Sequence, residues 1–150
     1  MNGSPPASRN GFSLVELLVV LFLMGLLAAT VAIAMPSDEG KLRREAERFA
    51  ARTVAARDEA ITTGRPVLLV ADEQGYRFEH LVDGAWQAWP DRRFAPVAWS
   101  GGTATSPSLR ISFDPVGLAS DERELRLVRG HASFTVHVAR DGQVRLDAPR

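Results

Sequence analysis

A long apolar run between Leu14 and Met35 constrains this chain more than any other feature. Glu16 is the only charged residue in it. A helix needs about 20 residues to cross a hydrocarbon core roughly 30 Å thick, whereas the apolar core of a signal peptide has about 7 to 15 residues. The run therefore predicts a membrane-spanning helix, which we place at residues 12–35.

Glu16 is the anomaly within this predicted helix. A carboxylate at the centre of a bilayer costs on the order of 2.5 to 3.5 kcal/mol on insertion scales, so such residues are usually functional. One interpretation places Glu16 near the headgroups, where the N-terminus of a helix favours negative charge. The other gives Glu16 a partner, because a buried carboxylate needs one. Taken alone, the residue leaves both interpretations open.

The residues that precede the run favour a partner for Glu16. Gly11-Phe12-Ser13-Leu14-Val15-Glu16, preceded by Arg9, resembles the processing site of type IV prepilins and type II secretion pseudopilins. The resemblance implies a leader at residues 1–11, cleavage by a prepilin peptidase between Gly11 and Phe12, and N-methylation of Phe12. It also implies that the Phe12 amine of one subunit pairs with Glu16 of another, so Phe12 and Glu16 are the predicted assembly residues.

A second helix is predicted within residues 36–64. Pro36 ends or kinks the apolar helix, Ser37 is a candidate N-cap, and Gly64 closes the amphipathic stretch. The predicted buried face repeats at steps of three and four and consists of Leu42, Ala46, Phe49, Thr53, Ala56 and Ala60. The arginines off this face predict a solvated surface, with contact to neighbouring subunits as the alternative.

Residues 65–150 have the texture of short strands and turns. Alternating or compact apolar segments predict strands at 67–70, 76–82, 85–89, 92–99, 109–113, 124–128, 133–138 and 143–147. Ser100 to Pro107 is small and polar, and predicts a flexible connector that alternatively folds on a neighbour. The fold class is therefore α+β, with an antiparallel sheet packed on the outer half of a long N-terminal helix. The same resemblance identifies this as a type IV pilin-like fold.

Downstream motifs narrow the resemblance to the H-type minor pseudopilins of type II secretion. They are Ala56 to Val67, Tyr76-Arg77-Phe78, Trp86 after Asp83-Gly84, Ile111 to Gly117, and Val136 to Val144. The resemblance implies a non-enzymatic subunit with a single pass through the bacterial inner membrane and a periplasmic C-terminal domain. It also implies a place near the tip of the pseudopilus that helps drive folded proteins across the outer membrane. The implied partners are the major pseudopilin G, the minor pseudopilins I, J and K, and the prepilin peptidase, with secreted proteins as a further candidate.

The composition and motifs of the sequence give little support for an enzyme. The chain has no cysteine, which excludes disulfides, thiolate metal sites and cysteine nucleophiles. His80, His131 and His137 lack the spacing of a metal motif, and no nucleophile elbow or phosphate loop is present. We therefore predict no catalytic, cofactor or metal residues, and we expect Trp86, Trp89 and Trp99 to be core or sheet-face residues.

Two other functions stay open at this point. One is a minor pilin of a type IV pilus, including the kind that takes up DNA, for which a basic face would be needed. Its candidate residues are Arg123, Arg126, Arg129, Arg140 and Arg145. Interleaved acids and a formal net charge of zero argue against nucleic acid. The other is a periplasmic enzyme or binding domain on an uncleaved membrane anchor.

Overall fold

The computed structural model describes residues 13–34 and 37–147. The chain forms two compact units that divide after Pro36, and each is described by itself. The first contains helix α1, Leu14–Ala34. Its first turn is closed by the Leu17 amide, which donates to the Ser13 carbonyl at 3.1 Å.

The second unit begins with helix α2, Asp38–Thr63. The Ser37 hydroxyl accepts a hydrogen bond from the Gly40 amide at 3.1 Å, so Ser37 is the N-cap that its position predicted. Gly64 ends the helix in the left-handed region at φ 64°, which favours glycine. The predicted buried face is confirmed in full, since the buried residues of α2 are Leu42, Ala46, Phe49, Thr53, Ala56 and Ala60.

Nine strands follow α2 within residues 37–147, and every pairing between them is antiparallel. They are β1 Val67–Ala71, β2 Gly75–Val82, β3 Ala85–Ala88, β4 Val97–Ala98, β5 Ala104–Ser106, β6 Leu109–Phe113, β7 Arg123–Arg129, β8 Ala132–Val138 and β9 Val144–Asp147. The α+β class with an antiparallel sheet against a helix is confirmed. The single sheet that we expected is instead two sheets.

The first sheet has the order β3-β2-β1-β6, with β4 pairing to β2, and the second has the order β5-β7-β8-β9. The division occurs after Phe113, because the chain turns back on itself there and Ala119 bridges to Phe113 along the free edge of β6. That return occupies the edge where a further strand would pair, so β7 starts a separate sheet.

Two local predictions are corrected. Residues 92–99 do not form one strand: a short 3-10 helix, Arg92–Phe94, precedes the two-residue strand β4. Pro96 lies between them and has no amide to donate to a ladder. The connector predicted at 100–107 contains β5, which pairs with β7 through Thr105 and Leu127.

The core lies between α2 and the inner faces of the two sheets. Phe49 of α2 meets Tyr76 and Trp99 with ring centroids 5.0 and 5.6 Å away, in the edge-to-face geometry that aromatic pairs favour. In β8, Phe134, Val136 and Val138 are buried, and the alternate residues face outward, as predicted. Trp99 is buried, while Trp86 and Trp89 are half-buried.

Candidate assembly surfaces

Of the predicted processing and assembly residues, the structure describes only Glu16. Gly11 and Phe12 lie outside the described residues. Glu16 lies in the first turn of α1 and is exposed. Its side chain makes no hydrogen bond or ion pair within residues 13–34 and 37–147.

Helix α1 exposes apolar side chains over its described surface. Between Leu14 and Leu27, the large apolar residues are 43% to 81% exposed. No helix within the described residues meets the combined length and hydropathy required of a membrane crossing.

The histidines are separated from one another. His131 is exposed, and His80 is half-buried with its ring 4.8 Å from that of Trp89. His137 lies between two carboxylates on the outer face of the second sheet, 3.4 Å from Glu124 and 3.2 Å from Asp147. The part of the chain that the structure describes holds no group of three or more histidine, cysteine, aspartate or glutamate residues suited to a metal ion.

A glutamate of α2 fixes the segment that we expected to be a flexible connector. One carboxylate oxygen of Glu45 accepts from the Ser100 amide at 2.6 Å. The other accepts from the Thr103 hydroxyl, also at 2.6 Å. Because hydrogen bonds to a charged acceptor are the stronger kind, this carboxylate ties the segment to α2. Sequence periodicity does not predict this contact, since Glu45 has the position of any other polar residue of an amphipathic helix.

Two arginines add further ties between α2 and the loops. Arg52 donates to the Arg93 carbonyl at 2.7 Å and to the Ala95 carbonyl at 2.9 Å. Arg129 of β7 donates to the Gly101 carbonyl at 2.7 Å and to the Asp38 carboxylate at 3.1 Å. These contacts join residues far apart in sequence, and they hold the chain between Arg93 and Gly101 against α2.

Asp72, in the β1–β2 turn, holds the same segment from the other side. Its carbonyl accepts from the Trp99 indole at 2.7 Å and from the Thr105 hydroxyl at 3.0 Å. A buried indole N–H usually requires such a partner. The path of the chain from 93 to 105 is therefore fixed from both α2 and the first sheet.

The turn between β6 and β7 presents an apolar surface on a stiff frame. The Asp114 carboxylate accepts from the amides of Val116 and Leu118 at 3.0 and 2.8 Å. Gly117 is buried at φ 86° against Ile61 of α2. Val116 is 71% exposed, Leu118 49% and Ile61 43%. Because the turn is held by its own hydrogen bonds, these side chains would lose little freedom on meeting a partner. We call Ile61, Val116 and Leu118 the apolar turn surface.

The arginines that a DNA-binding face would use are mostly engaged elsewhere. Arg123 and Arg140 both contact Asp121, at 2.9 and 3.3 Å. Arg129 is paired with Asp38.

Comparisons with known proteins show which family this chain belongs to. A family model described as type II transport protein GspH matches residues 45–142, which is more than half of the chain. The chain belongs to the GspH family of type II transport proteins. A second model, described as a prokaryotic N-terminal methylation motif, matches residues 6–32. The GspH match includes most of α2, the whole first sheet, and strands β5, β7 and β8 of the second sheet. The methylation match includes Gly11, Phe12 and Glu16 and most of the apolar run.

Relatives of this GspH-family chain include the type II secretion system protein H of Aeromonas hydrophila. It is 36% identical over 84 residues, which cover 53% of this chain and 46% of the relative. The match thus spans a little under half the length of that relative.

Solved structures with a similar fold come from a secretion system and from a pilus. The minor pseudopilin EpsH from the type 2 secretion system of Vibrio cholerae has a TM-score of 0.64 and 20% identity, over 73% of this chain and 98% of that chain. A second EpsH structure has a TM-score of 0.66 and 18% identity, over 76% and 98%. The type IV minor pilin FimU of Pseudomonas aeruginosa has a TM-score of 0.59 and 19% identity, over 73% and 92%. These likenesses show the pilin-like fold alone.

Proposed function

We propose that this GspH-family chain is a minor pseudopilin of a type II secretion system. It is anchored in the inner membrane by residues 12–35, and its second unit, which contains α2 and the strands, lies in the periplasm. It assembles near the tip of the pseudopilus that helps drive folded proteins across the outer membrane. Its action is assembly and not catalysis.

The observation that carries this proposal is Glu16. It is the only charge in an otherwise apolar helix and makes no polar contact within the described residues. In an apolar environment a lone carboxylate is costly unless it is paired. A partner from another subunit satisfies it, and the amine created by cleavage between Gly11 and Phe12 is a positive group of the right kind. One such pair for each subunit sets the axial register of assembly.

The periplasmic unit supplies the contacts that select neighbours. The apolar turn surface is rigid and exposed, and interface cores are enriched in apolar side chains held in place before binding. The major pseudopilin G and the minor pseudopilins I, J and K are its proposed partners. The prepilin peptidase acts on the chain earlier, at Gly11 and Phe12.

Complementation tests the proposal. The gene is deleted from its own bacterium, and the variants Glu16→Ala and Glu39→Ala are returned to the strain. Glu39 is the matched control, because it is an exposed carboxylate at the start of α2 whose side chain makes no hydrogen bond or ion pair in the described residues. We expect wild type and Glu39→Ala to restore exoprotein secretion. Glu16→Ala should be processed to a methylated Phe12 but fail to restore secretion or to co-purify with other pseudopilins.

Two results contradict the proposal. One is a deletion that abolishes type IV piliation and leaves secretion intact, which would assign the chain to a pilus. The other is a chain that still begins at Met1 in the presence of the peptidase, which would remove the amine that Glu16 is proposed to meet. No contact in the described residues favours the pilus, and both the family model and the Aeromonas relative carry secretion-system names.

A further inference from the structure

Three cations of α2 share one face and have no partner. Lys41, Arg44 and Arg48 are spaced by three and four residues, so their side chains project from the same side of the helix. All three are exposed. None of the three side chains makes a hydrogen bond or an ion pair in the part of the chain that the structure describes. We call these residues the basic face.

The acidic residues nearby offset the basic face only in part. Asp38 is paired with Arg129. Glu45 lies on the same side of the helix, four residues after Lys41, and accepts only from uncharged donors, the Ser100 amide and the Thr103 hydroxyl, so it offsets one of the three positive charges. Glu47 is paired with Arg43 at 2.8 Å. The Glu39 side chain makes no ion pair in the described residues but lies on another side of the helix, about 140° round from Arg44 at 100° for each residue. Acidic and basic residues are therefore equal in number between Asp38 and Arg48, but the net charge on the basic face is positive.

The position of the basic face in the chain indicates what it meets. Lys41 follows the end of the apolar run by only six residues, which span at most about 20 to 22 Å when fully extended. The basic face is therefore held near any bilayer in which the run is inserted. A short tether also raises the effective concentration of the face at the headgroups to roughly the millimolar range.

We propose that Lys41, Arg44 and Arg48 bind anionic phospholipid headgroups at the periplasmic surface of the inner membrane. This rests on the proposed function, since it requires the apolar run to be inserted in a bilayer. Ammonium and guanidinium groups both bind phosphate. Each basic side chain near an anionic surface favours the bound state by roughly fivefold. The contact would hold the unassembled subunit with this face of α2 toward the membrane, and entry into the pseudopilus would break it.

The absence of native cysteine allows a direct measurement on the full chain. Ala51 is exposed on α2 one turn beyond Arg48, so an Ala51→Cys variant carries a fluorophore beside the basic face. The labelled protein is reconstituted in vesicles of phosphatidylcholine alone, or of phosphatidylcholine and phosphatidylglycerol in equal parts, each with a quencher attached to a trace of the headgroups. We expect stronger quenching with phosphatidylglycerol, and a loss of the difference at high salt.

Two triple variants separate the basic face from net charge. Lys41→Gln/Arg44→Gln/Arg48→Gln should lower the ratio of quenched to unquenched label by roughly a hundredfold, at about fivefold for each cation. Arg65→Gln/Arg92→Gln/Arg110→Gln removes the same charge from exposed arginines outside α2, whose side chains make no hydrogen bond or ion pair in residues 37–147. This control should leave the ratio unchanged.

Flotation of the vesicles tests the underlying anchor separately. A chain that fails to float with either composition refutes membrane anchoring, and with it the proposed function. A chain that floats with both compositions and shows equal quenching in both refutes only the headgroup contact. An equal loss in the two triple variants also refutes it. The headgroup contact is also refuted if the basic-face triple variant changes cross-linking to another pseudopilin but leaves quenching unaltered. That result would assign the basic face to an acidic protein surface.

Discussion

Gly142 gives the sharpest test of how the apolar turn surface is held in place. It lies in the β8–β9 turn at φ 77° and is buried. A methyl group built at Gly142 would collide with the Gly117 carbonyl oxygen, and would come within 3.0 Å of Cδ of Arg57. A left-handed conformation costs a non-glycine residue about 1 to 2 kcal/mol. Overpacking a filled site typically costs about 1 to 3 kcal/mol more. Gly142→Ala should therefore lower the free energy of unfolding by about 2 to 5 kcal/mol.

Gly84 supplies the matched control for this prediction. It has a similar φ of 80°, but an added methyl group there would meet no atom within 4 Å. Gly84→Ala should therefore show only the conformational cost of about 1 to 2 kcal/mol. Urea unfolding of the full chain in detergent micelles, followed by tryptophan fluorescence, measures both because Trp99 is buried in the core. Equal destabilisation by the two variants would refute the packing of the β6–β7 turn on the β8–β9 turn.

Two further outcomes follow from contacts of α2. Glu45→Gln leaves only one amide oxygen where two carboxylate oxygens accept from Ser100 and Thr103, so unfolding should become easier by about 1 to 2 kcal/mol and protease should cut near Gly101. Glu47→Gln, which breaks only the exposed pair with Arg43, should change neither, and equal behaviour of the two variants would contradict the role given to Glu45. Burial raises the pKa of Tyr76, and the nearby Arg52 charge partly offsets this. Since Tyr76 is the only tyrosine, absorbance at alkaline pH should show a midpoint above the ordinary value of about 10 that Arg52→Met raises further. The stability that depends on neutral Tyr76 is thus complete below the unfolded pKa and lost as pH rises through the folded one, and a midpoint at the ordinary value would contradict its burial.

The elements that could be predicted are those whose signals are local. The N-cap at Ser37, the C-cap at Gly64 and the buried face of α2 each depend on residues within a few turns of one another. The strands predicted at 124–128 and 133–138 lie within β7 and β8 for the same reason, because their apolar residues alternate locally. These features need only the helical and strand periodicities and the chemistry of turn residues.

The wrong predictions of local structure occur where residues distant in sequence determine the path of the chain. Residues 92–99 alternate well enough for a strand, but Arg52 draws the carbonyls of Arg93 and Ala95 toward α2. The segment after Trp99 has the composition of a flexible connector, but Glu45 and Arg129 hold it. Each of these contacts joins positions at least 28 residues apart, so no window of sequence contains both partners.

The two proposed assembly surfaces differ in the same way. Glu16 could be singled out from sequence because a charged residue within an apolar run stands out without reference to any distant part of the chain. The apolar turn surface could not, since its exposure depends on three separate circumstances. Asp114 must close the turn, Gly117 must pack on Ile61, and Gly142 must leave room for the Gly117 carbonyl. Removing any one of them moves Val116 without changing its chemistry. We therefore expect changes at Gly117 or Gly142 to impair assembly while Glu16 and the processing site stay intact, which makes the stiffness of this turn as much a part of the contact as the side chains that it displays.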